Sequence, residues 1–85
     1  MMNTDDLKSL QPAKVIDARG TACPGPLLAA KRGIADVPVR EIMEVISSDE
    51  GTNKDIPRWC AKLQHEFLGT IEEDGYWRLY VRRAK

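Results

Sequence analysis

Two prolines around one glycine, Pro24-Gly25-Pro26, limit what this chain can build more than any other feature. Proline lacks an N–H and locks φ at about −65°, so a helix tolerates it in the first turn and breaks around it further in. After these prolines, Leu27, Ala30, Ile34 and Val37 recur at helical spacing. Before them, Val15-Ile16-Asp17-Ala18 is short and β-prone, and Gly20 ends it. The spacing predicts a strand, a tight corner and a helix, with Cys23 as N-cap and Pro24 at the first helical position. Gly33 weakens that helix by about 1 kcal/mol relative to alanine, and Asp36-Val37-Pro38 marks its end.

The same alternation continues downstream. Glu41 to Ser47 reads as a second strand, and residues 48–53 as a polar loop. Asp55 is the expected N-cap of a second helix, with Ile56, Cys60, Leu63 and Phe67 as its apolar stripe and Gly69 at its end. Thr70 to Glu73 is a short third strand, and Asp74-Gly75 a hairpin turn. Tyr76 to Arg82 alternates, with Trp77, Leu79 and Val81 on one face. The order β-α-β-α-β-β predicts an α+β two-layer sandwich: a four-stranded mixed sheet with two helices on one face. Residues 1–12 are polar and expected to be a flexible N-terminal segment; residues 13–85 form the single domain.

Eighty-five residues support a small core and leave no room for a deep cofactor pocket. Thirteen Lys and Arg balance thirteen Asp and Glu, so strong nucleic-acid binding is not expected. No apolar run suggests a signal segment or a membrane span, which makes a reducing cytoplasm the expected location and free thiols the expected state of both cysteines.

Cys23 is the candidate nucleophile. A helix start lowers a thiol pKa, and the thiolate is the reactive form. Gly25 adds no side chain over the sulfur and is expected to offer it a free amide. Asp17 and Gly20 shape the preceding turn, while Arg19, Lys54, Asp55 and Arg58 are candidate anion or partner contacts. Cys60 lies on an apolar stripe and reads as core; the alternative is a resolving thiol for Cys23. His65, the only histidine, reads as a boundary residue. No zinc-ligand spacing and no phosphate loop occur, so neither a metal nor a cofactor is expected.

Asp17-x-x-Gly20-x-x-Cys23-Pro24-x-Pro26 resembles the signature of the TusA-like sulfur-carrier proteins, also called the SirA family. Asp55-Ile56-Pro57-x-x-Cys60, followed by His65-Glu66, resembles that family's second characteristic segment. The resemblance spans Val15 to Arg83. It implies the same sandwich, and a sulfurtransferase function in which Cys23 carries sulfane sulfur as a persulfide. It also implies a persulfide donor protein (a cysteine desulfurase or rhodanese-like protein) and an acceptor on a route to thiolated tRNA, molybdenum cofactor or sulfur oxidation. A monomer is expected. This chain departs from the family pattern at Thr21, where leucine is frequent, at Gly25, where a larger residue is usual, and at Ser48-Asp49-Glu50, where Asp-Asp-Pro is frequent. The competing readings are a regulatory protein-binding module and a redox switch built on Cys23 and Cys60.

Overall fold

The computed structural model describes residues 2–22 and 24–85. Its elements are α1 (Thr4–Lys8), β1 (Lys14–Asp17), α2 (Gly25–Gly33) with a 3₁₀ turn over Ile34–Asp36, β2 (Ile42–Ser47), α3 (Thr52–Leu63), β3 (Glu66–Glu73) and β4 (Tyr76–Arg82). The sheet order is β1-β2-β4-β3. β1 and β2 run parallel, and β4 is antiparallel to both β2 and β3. This is the expected mixed four-stranded sheet.

Alternation along β2 and β4 sends successive side chains to opposite faces, and both faces are used. Met43, Val45, Leu79 and Val81 meet Ala30 of α2 and Ile56, Trp59 and Cys60 of α3 in the main core. α2 and α3 thus share one face, as expected. Val37 is also buried here, and Leu27 and Ile34 pack at the margin.

The opposite face differs from expectation. Residues 1–12 read as a flexible segment, yet Thr4–Lys8 is a helix whose Asn3 side chain accepts the Asp6 N–H. Its Leu7 is 1% exposed and packs with Leu68, Ile71 and Tyr80 into a second core. The segment is polar overall, and one leucine facing an otherwise bare apolar patch is sufficient reason for it to dock.

Four boundaries also move. The continuous helix expected to run to Val37 tightens into a 3₁₀ turn after Gly33. α3 begins at Thr52, one turn before Asp55, because i+3 turns through Thr52, Asn53 and Lys54 wind the loop into the helix; Asp55 is therefore inside the helix and does not cap it. α3 also stops at Leu63. Gln64 takes the left-handed conformation at φ 63°, and its N–H donates to the Cys60 carbonyl. Phe67 then pairs with Val81, so β3 starts at Glu66 and Phe67 packs against the core from the sheet. Gly69 does not end a helix. It occupies a register shift in β3 at φ +150°, where a Cβ would lie 3.0 Å from Leu7 Cδ1. A glycine there lets β3 bulge and α1 approach. The Asp74-Gly75 turn joins β3 to β4 as expected, with Gly75 at φ +85°.

Candidate functional site

The corner begins where β1 ends. Asp17 accepts the Arg19 backbone N–H at 3.2 Å, so the acid folds the chain back on itself. The Arg19 guanidinium closes the same turn with bonds of 2.9 and 2.7 Å to the two carboxylate oxygens. The side-chain bonds from Arg19, followed by its backbone N–H, hold the Asp17 carboxyl down at about 2. The guanidinium also lies 5.1 Å from the Tyr76 ring centre. Arg19 is thus already engaged by Asp17 and Tyr76.

Gly20 follows at φ +85°, a left-handed turn that a Cβ would strain. Its N–H donates to Ser48 Oγ at 2.9 Å, which ties the β1–α2 loop to the β2–α3 loop. The second loop is rigid in its own right. Ser47 Oγ lies 2.7 Å from Thr52 Oγ1 and accepts the Asp49 N–H, and the Asp49 carboxylate accepts the Gly51 N–H. Together the loops line a shallow open depression of Gly20, Thr21, Ala22, Ser48, Asp49 and Glu50. Ser47 and Thr52 were not singled out from sequence, and Ser48 entered only as part of the loop that departs from the family pattern. The available signal was a run of hydroxyl residues beside a polar turn, a pattern that favours local caps.

Cys23, the candidate nucleophile, lies outside the described residues. Its neighbours Ala22 and Pro24 are exposed. Pro24 stands at the N-cap place, one residue later than expected; its carbonyl accepts the Leu28 N–H at 2.9 Å, and Pro26 falls inside the first turn. The Gly25 N–H is not left free. It donates to the Ala22 carbonyl at 2.7 Å. A Cβ on residue 25 would lie 3.0 Å from the Thr21 Cβ. Two of the positions at which this chain departs from the family pattern, Thr21 and Gly25, therefore face each other.

The α3 candidates divide. Lys54 is exposed on the helix, whereas Asp55 and Arg58 line a groove with Leu27 of α2. Cys60 is 1% exposed, and burial pushes its thiol up to about 12. His65 lies against Trp59, with ring centres 5.5 Å apart, and its Nδ1 accepts the Ala84 N–H. Among the described residues, no group of three or more His, Cys, Asp or Glu is arranged to hold a metal ion. No helix among them is long and apolar enough to cross a membrane.

The family model for sulfurtransferase TusA matches residues 14–83. A candidate sulfur carrier protein of Archaeoglobus fulgidus is 46% identical over 71 residues, 84% of this chain and 97% of its own length. The sulfur carrier protein TusA of Pseudomonas entomophila is 34% identical over 68 residues, 80% of this chain and 85% of its own. A solved structure, the SirA-like protein from Desulfitobacterium hafniense, superposes with a TM-score of 0.73 at 19% identity, covering 85% of this chain and 99% of that one, and so shares the fold. The fold, the two motifs and a match along nearly the whole domain agree: the chain belongs to the TusA family of sulfur carriers.

Proposed function

We propose that this protein is a persulfide relay, a sulfurtransferase that acts through Cys23. The Cys23 thiolate attacks the outer sulfur of a donor persulfide. One S–S bond forms to Cys23, the donor's S–S bond breaks, and the donor departs as a thiolate. The proton stays on the transferred sulfur, and no net oxidation occurs. An acceptor thiolate then takes the outer sulfur by the same exchange, whose rate follows thiolate fraction, leaving-group pKa and access.

The observation that carries this reading is the bracing on either side of position 23. Asp17, Gly20 and Ser48 lock the preceding loop, and Pro24, Gly25 and Pro26 lock the following turn. Such a corner suits a sulfur presented to another protein surface. The burial of Cys60 weighs against a Cys23–Cys60 redox switch, because a buried, undissociated thiol attacks a disulfide poorly. A cysteine desulfurase or rhodanese-like protein fits the donor role, and tRNA thiolation, molybdenum cofactor assembly or sulfur oxidation fits the acceptor side.

Intact-protein mass spectrometry tests the proposal. Incubation with a persulfide donor should add one sulfur atom to the wild-type chain and none to Cys23→Ser. A Cys23→Ser protein that still gains and delivers that sulfur would remove the reading.

A further inference from the structure

The face of α2 and α3 turned away from the sheet carries a groove with an uneven distribution of charge. One end is lined by Leu27, Asp55 and Arg58, the other by Ile34 and Leu63. Lys31, Trp59 and Lys62 border both ends, so the two depressions run together along the helix pair. Leu63 is 47% exposed although it ends an amphipathic helix, which leaves an apolar floor uncovered.

Lys31, Arg58 and Lys62 are all exposed, and none is in an ion pair with a described residue. Several other cations are occupied. Lys14, Arg19, Arg78 and Arg82 face carboxylates, and Arg83 donates to the carbonyls of Ile34, Ala35 and Val37. The chain has zero net charge, yet this groove has three cations around one carboxylate, Asp55.

We propose that this groove seats an acidic, amphipathic segment of a partner protein, with apolar side chains on Leu27 and Leu63 and carboxylates over Lys31, Arg58 and Lys62. Leu27 is the third residue of α2, immediately beyond Pro24-Gly25-Pro26, so the groove opens at the foot of the candidate sulfur-carrying corner. If the persulfide reading holds, on which this role rests, the occupant is a protein that loads or unloads the carrier. Complementary charge there governs encounter rate and partner choice. Protein is favoured over RNA because the floor is aliphatic and the groove's only tryptophan is 5% exposed, leaving no open aromatic platform for bases.

The test is an NMR titration of the ¹⁵N-labelled full chain with a synthetic amphipathic helix of leucine and glutamate. A leucine–glutamine helix and a short single-stranded RNA serve as comparisons. Amide shifts should cluster on residues 27–34 and 55–63 for the acidic helix. Affinity should fall about tenfold or more in Lys31→Glu/Lys62→Glu, and also as salt is raised. Shifts centred elsewhere, equal binding of the glutamine helix, indifference to the charge reversal, or RNA binding in the peptide's place would each overturn the proposal. Loading wild-type protein with sodium polysulfide reads the persulfide chemistry separately. Failure there removes the relay reading, while the peptide map still decides the groove.

Discussion

Cys60 and Cys23 have the same side chain, and the fold fixes the state of Cys60. Cys60 faces Ile56 and Trp59 in the main core, where burial holds its thiol at about 12. At about pH 8 a thiol of that pKa is ionised in roughly one molecule in ten thousand, and only the thiolate reacts. Native protein treated with iodoacetamide should therefore be alkylated at Cys23 alone, and at both cysteines once urea unfolds it; peptide mapping reads the difference. Labelling of Cys60 in the native state would contradict its placement. The apolar stripe made Cys60 legible as core from sequence. The role of Gly25 was not legible, because its N–H reaches a carbonyl three residues back and its bare Cα faces Thr21. Both are contacts of the folded corner.

Among the elements, the two strand–helix units were readable because their periodicities are strong and prolines punctuate them. α1 was not. Five residues with two acids form no stable helix alone, and the helix persists through capping by Asn3 and burial of Leu7. Leu7→Ala should cost about 2–5 kcal/mol, the usual range for a leucine truncated in a core, read as a lower urea midpoint. A change below about 0.5 kcal/mol, typical of surface positions, would instead restore the flexible-tail expectation. The end of α3 was misread for a related reason. Phe67 fits both a helical stripe and a strand, and pairing with Val81 decides for the strand. Gly33 shows the reverse case. It is poor for a helix in isolation, but a Cβ there would run into the Ile16 side chain, so its smallness sets how closely α2 approaches β1.

For the whole molecule, the charges that matter to folding are few and their effects on stability have definite signs. Burial, together with Arg83 and Lys85, holds the His65 imidazole below its ordinary value. An unfolded histidine near 6.5 takes up a proton that the folded chain resists, so stability is lost as pH falls through that value. Asp17, held at about 2 by Arg19, adds a second loss as pH falls from 3.8 towards 2. Cys60 acts at the other end. Its thiol stays protonated in the fold, so stability declines as pH rises beyond 9 towards 12. Melting temperatures between about pH 7.5 and about pH 5.5 should fall less steeply in His65→Gln than in wild type. Parallel slopes would show that burial and the nearby Arg83 and Lys85 do not hold back protonation of His65.

The sequence by itself determined the order of the elements from β1 to β4, the sheet class and the core character of Cys60. Each of these follows from local spacing: a two-residue or 3.6-residue period, two prolines in one turn, a glycine after a strand. Only the tertiary structure decided that the N-terminal segment covers the second face of the sheet, that α3 starts at Thr52 and ends at Leu63, and that Ser48 ties the two loops together. It also decided that Lys31 of α2 and Lys62 of α3 border a common groove. Apart from the start of α3, which local i+3 turns set, the physical reason is the same. These features depend on pairs of residues far apart in the chain, and a contact exists only once the sheet and helices have brought both partners together.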